Sequence, residues 1–313
     1  MRNLSGISVL FMVIALSLPW GNSQAQGDLV GIEEIAPGIY LRPGIQQDAS
    51  ARNRGHIANL GFIVGKERVA VIDTGGSYQE GLALRRAIRD TTPLPIAYVI
   101  LSHMHPDHVL GAAAFSQDAP AYIGHAQLQD ALVRRQSFFL DRVRQVLGDG
   151  AEGTRIVLPS KVVGVGQVMK LDLGDRILQL QAYPTAHTNN DLTVYDGDTG
   201  TLWLADLLFV ERIPVVDGSL LGWLKVMQGL NGRQLERIVP GHGPAVPDWK
   251  KALANQRRYL EVLASGIRQI ISKGGTIKQA VERVGRKEKA NWLLFDDYHG
   301  RNITTGFVEL EWE

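Results

Sequence analysis

The sequence predicts an α/β protein of two packed sheet layers covered by helices, with a helical tail. Three observations predict it. Two β-rich stretches are each followed by amphipathic helical segments, the pattern of sheet layers with helices outside. The chain from Trp249 onward reads as helix. The 313 residues are 45% hydrophobic and 21% charged, a globular balance with ample length for a large core.

The elements follow in order. Segments 57–64 and 68–73 are β-rich and flank Gly65-Lys66-Glu67, a hairpin turn. Residues 77–91 carry a helical apolar stripe of Leu82, Leu84, Ala87 and Ile88. A strand at 96–102 runs into a histidine-rich loop, and 127–147 is a long amphipathic helix. Strand signals return at 168–173, 176–183, 192–195 and 201–204, the last two joined by the turn Asp196-Gly-Asp-Thr-Gly200. Ile238-Val-Pro240 is a short strand. Helices are expected at 249–272, opened by Asp248 as N-cap, and at 276–284 and 286–295. The apolar spacing of Leu253, Tyr259, Leu260, Leu263, Ile267 and Ile270 packs the first of these on the sheet.

The N-terminus reads as an export signal. Arg2 is basic, 6–20 is an apolar run too short to span a bilayer, and Ser23 and Ala25 are small residues placed for a cut after Ala25. The expected units are a signal peptide at 1–25, a main domain at 26–247 and a helical extension at 248–313. The destination is the periplasm or beyond, with no membrane span in the mature chain. Loss of Arg2 leaves 32 basic against 32 acidic residues. A balanced charge gives no footprint for nucleic acid. The absence of cysteine excludes disulfides, thiolate metal ligands and a thiol nucleophile.

The chemistry concentrates at His103-Met104-His105-Pro106-Asp107-His108, four potential metal ligands in six residues directly after a strand. His103 and His105 alternate on one side of an extended segment, so both imidazoles can meet one ion. Asp107 and His108 can point to a second ion beside it. Further ligands are expected at later strand ends: His187, Asp206 and His242.

With these residues the chain resembles the metallo-β-lactamase-fold hydrolases over about 32–247, including Val71-Ile-Asp-Thr-Gly-Gly76. The resemblance implies a four-layer αββα sandwich. It implies that His103, His105 and His187 hold one zinc, that Asp107, His108 and His242 hold a second, and that Asp206 bridges them. Asp73 would orient the histidine loop. Two departures, a carboxylate at Asp206 and Thr-Asn-Asn-Asp-Leu after His187, argue against a β-lactamase proper. Gly31-Ile-Glu-Glu-Ile-Ala-Pro-Gly-Ile-Tyr40, Ala186-His-Thr-Asn-Asn-Asp-Leu-Thr-Val194, Asp206-Leu-Leu-Phe-Val-Glu-Arg212 and the closing Leu-Glu-Trp-Glu313 resemble the type-2 quinoprotein relay system zinc metallohydrolases. That group implies a periplasmic quinoprotein partner.

Imidazole and carboxylate donors suit zinc. Two zinc ions sharing a water bring its pKa from ~15.7 toward ~7 and give a hydroxide that attacks a carbonyl. Esters, thioesters, lactones and amides all fit, with Asp107 as a proton-handling residue. Arg212, Tyr298 and Arg301 are candidate contacts for an anionic small-molecule substrate. Three other readings remain: β-lactamase-like activity, a single-iron persulfide dioxygenase-type oxidoreductase, and a non-catalytic partner of a quinoprotein.

Overall fold

The computed structural model describes residues 31–230, 234–244 and 248–313. The expected signal peptide and its cut site lie outside them. The first sheet holds seven strands in chain order: β1 (Glu33–Ala36), β2 (Ile39–Arg42), β3 (Leu60–Val64), β4 (Val69–Ile72), β5 (Ile96–Ile100), β6 (Ala121–His125) and β7 (Lys161–Val163). The second holds β8 (Val168–Asp172), β9 (Ile177–Ala182), β10 (Leu192–Asp196), β11 (Thr201–Phe209) and β12 (Arg237–His242), in the order β12-β11-β10-β9-β8.

Strand alternation builds three apolar layers from these two sheets. On β4, Ala70 and Ile72 face inward, with Ile63 of β3 and Ile100 of β5, against Leu180, Val194 and Trp203 of the second sheet. Val69, Val71 and Phe62 face outward against α1 (Tyr78–Thr91), α2 (Pro106–Val109) and α3 (Leu128–Leu147). On the far side, Leu202 and Leu204 of β11 pack against α4 (Leu220–Leu230), α5 (Trp249–Ile271) and α7 (Phe295–Leu310), with α6 (Ile277–Arg283) beside them. The result is a four-layer αββα sandwich with C-terminal helices.

Local chemistry sets the helix starts. Ser77 caps α1 by accepting from Glu80 N, Asp248 caps α5, and Thr276 with Gln279 forms a capping box on α6.

Three boundaries differ from expectation. β11 does not end at Leu204; it continues to Phe209 with every residue buried, as a strand covered on both faces can. The helix expected at 286–295 is a 3-10 segment, Arg286–Asn291. It is broken by an extended Trp292 and a left-handed Leu294 (φ 57°), because Leu293 leaves to bridge Arg212. A full helix, α7, then carries Tyr298 and Arg301, two of the expected substrate contacts. Strands β1, β2, β6 and β7 and helix α4 add to the expected set.

Candidate metal centre

Five strand ends bring the site together. β4 and β5 run parallel, so their C-terminal ends meet at one edge. β9, β11 and β12 share a direction, β9 being antiparallel to β10 and β10 to β11. Leu192 N donates to Ser102 O at 2.8 Å, and Asn59 N to Gly241 O at 2.8 Å, which stitch the two sheets beside this edge. Asp73 follows β4, His103–His108 follow β5, His187 follows β9, Asp206 lies within β11, and His242 ends β12.

Each histidine turns one ring nitrogen outward to a fixed partner. His108 Nδ1 lies 2.8 Å from Asp73 Oδ2, and the same carboxylate accepts from Ser102 N and Oγ. His187 Nδ1 meets Val215 O at 2.6 Å, and His242 Nδ1 meets Ile57 O at 2.8 Å. His105 Nε2 lies 3.0 Å from Asp217 Oδ2, and His103 Nδ1 lies 3.0 Å from Ser102 Oγ. Carbonyls and carboxylates only accept, so His105, His108, His187 and His242 donate outward. In the neutral ring this leaves the opposite nitrogen as a bare lone pair.

Those lone pairs converge. His187 Nε2 and His105 Nδ1 face each other at 3.0 Å. Asp206 Oδ2 lies 3.3 Å from His187 Nε2, 3.4 Å from His242 Nε2 and 3.7 Å from His103 Nε2; its Oδ1 lies 3.1 Å from His108 Nε2. Asp107 Oδ2 lies 3.3 Å from His242 Nε2 and 3.7 Å from His108 Nε2. Two ligand groups result, His103/His105/His187/Asp206 and Asp107/His108/His242, each with donor atoms within 4.8 Å of one another. Asp206 touches members of both.

The donor set fits a pair of metal ions. His103 Nε2, His108 Nε2 and Asp206 Oδ1 are buried with no hydrogen-bond partner. Orphaned buried polar atoms are costly, and opposed lone pairs more so, unless a cation lies among them. Burial lowers the pKa of His103, and that of His187 to about 3, so both stay neutral and able to ligate. Burial acts the same way on His108 and His242. There the carboxylates win: Asp206, Asp73 and Asp107 raise His108, and Asp206 and Asp107 raise His242. This surplus of buried negative charge is what divalent ions neutralise.

Backbone strain and close packing mark the centre. Asp73 and Ala205 take left-handed φ values of 56° and 46°. A Cβ on Gly241 would lie 1.8 Å from Asp206 Oδ1, so only glycine lets the carboxylate occupy its place.

All seven expected ligands therefore meet at one place, with Asp73 against His108. The three expected substrate contacts are distributed differently. Tyr298 lines a cleft with Asp107. Arg212 is buried and donates to Gln47 O, Asp48 and the Tyr298 hydroxyl. Arg301 donates to Asp217 Oδ1 at 2.8 Å. The remaining histidines serve elsewhere: His125 bonds Tyr183 O and Gln127 N, His299 bonds Tyr259 and Val284 O, and His56 lies beside Glu80. Asp217 and Gly241 escape sequence reasoning. Asp217 has no motif around it; the glycines flanking His242 were the available signal for Gly241.

Residues 53–254 match the metallo-beta-lactamase superfamily. The chain belongs to that superfamily. Among solved structures it is similar to a metallo-beta-lactamase from Pontibacter korlensis, with TM-score 0.59 and 16% identity over 74% of this chain and 98% of that one. It is also similar to the mono-zinc form of FIM-1 from Pseudomonas aeruginosa, with TM-score 0.58 and 15% identity over 74% and 94% of the two chains. At such identity these likenesses speak for the fold alone. A curated relative, named diflavin flavoprotein A 1, of Nostoc sp., is 24% identical over 205 residues. That match takes in 58% of this chain and 32% of the relative, so the chain spans about a third of that protein. The superfamily and the clustered His/Asp ligands together indicate a metal-binding site.

Proposed function

We propose that the protein is an exported dinuclear zinc hydrolase acting on an ester, thioester, lactone or amide-type carbonyl of a small molecule. The convergence of five imidazoles and two carboxylates on one buried edge carries this reading. Bound zinc lowers the pKa of a water toward ~7 and polarises the carbonyl.

The chain's own residues do the rest. Asp73, Asp217, Val215 O and Ile57 O fix the tautomers of four imidazoles, so the ring nitrogens are aimed before metal arrives. Asp107, 17% exposed, is the carboxylate that borders the cleft. As water adds to the acyl carbon, the Asp107 carboxylate takes its proton and returns it to the leaving group as the acyl bond breaks. Tyr298, its hydroxyl proton donated to Asp48, lines the cleft with Asp107.

The N-terminal segment supports export to the periplasm. The Gly31–Tyr40 stretch, the residues following His187 and Asp206, and the closing Leu-Glu-Trp-Glu support association with a quinoprotein pathway. The Nostoc relative, a flavoprotein by name, supports a second reading, redox chemistry at the same ligands, for which a single iron ion is the candidate metal. Metal analysis on protein purified from its own compartment separates them. Two zinc per chain, with turnover of thioester, lactone or β-lactam substrates that a chelator abolishes, supports hydrolysis. Iron with oxygen uptake overturns it.

A further inference from the structure

The cleft that Asp107 borders is a cavity of about 260 Å³ whose substrate class the hydrolase reading leaves open. Pro106 and Asp107 line it together with residues of α3. Phe139, Val143, Val146 and Leu147 recur at i, i+4, i+7 and i+8 on that helix and supply an apolar wall, with Ile57 opposite. Such a wall, ending at one reactive carboxylate, suits a compact hydrocarbon arm whose carbonyl reaches the metal edge.

The charges around this cavity do not balance. Asp107 is committed to the metal ligands. Asp48 accepts from the Tyr298 hydroxyl and from Arg212 Nη2, so it is neutralised within the wall. Arg142 projects from the same face of α3, is exposed, and has no hydrogen-bond or ion-pair partner among the described residues. Nearby, Arg135 and Arg301 are paired with Asp217 and Arg212 with Asp48, and Arg134 lines a separate pocket with Met104 and Asp217. Among the described residues lining this cavity, Arg142 is the one basic side chain, and it is uncompensated.

We propose that this groove selects substrates with a compact apolar acyl arm ending in a carboxylate, the arm on Phe139 and Val143 and the carboxylate on Arg142. The proposal rests on the hydrolase reading and names its substrate class.

The test uses zinc-loaded full-length protein and two esters of equal length, 4-nitrophenyl hexanoate and the mono-4-nitrophenyl ester of adipic acid. The wild type prefers the adipate ester, and Arg142→Gln lowers its kcat/KM about fivefold, the size of one partly exposed ion pair, while leaving the hexanoate ester unchanged. Acetyl, butyryl and hexanoyl esters show kcat/KM rising with chain length. Calorimetric binding of 4-phenylbutyrate and its neutral amide gives a readout free of turnover: R142Q weakens only the carboxylate. An unchanged ester ratio together with unchanged phenylbutyrate binding in R142Q overturns the groove, as does a flat chain-length series. Arg142-dependent phenylbutyrate binding without hydrolysis of any ester sinks the hydrolase reading and leaves the groove standing.

Discussion

Asp217 Oδ2 lies 3.0 Å from His105 Nε2, and the same carboxylate is gripped by Arg301 of α7 at 2.8 Å and Arg135 of α3 at 3.6 Å. Asp217 is mostly buried, and His105 and the two arginines hold its pKa well below the usual carboxylate range against the opposing effect of burial. It thus stays an acceptor, keeps the proton on His105 Nε2, and leaves Nδ1 as the ligand atom. Asp217→Asn should weaken metal affinity about 10–100-fold, the usual effect of losing an outer carboxylate on a ligating histidine. Competition against a chromogenic chelator measures it. Affinity equal to wild type would show that Asp217 does not set the ring.

His105 itself should matter more than its partner. His105→Ala leaves His103, His187 and Asp206 to hold the first ion and removes a lone pair that opposes His187 at 3.0 Å. Metal content should fall from two ions per chain toward one, and hydrolysis by more than the ~10–100-fold expected for Asp217. Elemental analysis alongside turnover checks both. Full activity in a chelated, metal-free sample contradicts the assigned chemistry.

His103, His105, Asp107 and His108 were legible because they crowd one loop, where local spacing carries the signal. His187, Asp206 and His242 needed only their placement at strand ends. Asp217 was not legible: 112 residues separate it from His105, and its grip on the ring depends on how α3 and α7 pack. Arg212 and Arg301 look alike in sequence to any free surface arginine; the fold alone reveals that both are occupied by carboxylates. Strands β1 and β2 are four residues each, too short for alternation to stand out. The far end of β11 was hidden by the polar Asp206, which sits in a strand because metal-ligand geometry overrides burial preference there.

His56 should make the protein acid-sensitive. It is 3% exposed, with Nε2 unpartnered, and lies near Arg42, Arg54 and Glu80. Burial, then the two arginines, lowers its pKa to about 3. Below the ordinary value near 6.5 the unfolded chain takes up a proton that the folded chain refuses. Stability therefore falls as pH drops through that value and stops falling only near 3. At pH 5 the loss approaches about 2 kcal/mol. Urea unfolding from pH 7.5 to 5 measures it, and His56→Gln should flatten this part of the slope. An unaltered slope in that variant assigns the acid sensitivity to other groups.

The contact between the sheets gives a stability test away from the metal. A Cβ on Gly61 would lie 2.4 Å from the Trp203 ring and 2.3 Å from Tyr40 O. Trp203 is fully enclosed between the sheets, and the Tyr40 carbonyl belongs to the neighbouring strand, so neither can give way cheaply. Gly61→Ala should destabilise the fold by about 1–3 kcal/mol, the range for overpacking a filled core. Thermal unfolding with and without bound metal should show the same deficit, since Gly61 touches no ligand.

Gly241→Ala separates packing from ligation at the site itself. The added methyl would lie 1.8 Å from Asp206 Oδ1 and 2.8 Å from Asp206 N. Something must move, and the neighbouring backbone is held by the parallel β11–β12 ladder and by Asn59, which donates to Pro240 O and Gly243 O. The carboxylate is the freer part, so it rotates away from the midpoint it holds between His187, His242 and His108. Metal affinity should then fall at least tenfold while the circular dichroism spectrum stays that of the native fold. Because Asp206 touches both ligand groups, the two ions should be lost together rather than one at a time. A G241A protein that keeps one ion at wild-type affinity would place Asp206 in a single group and remove it from the shared position.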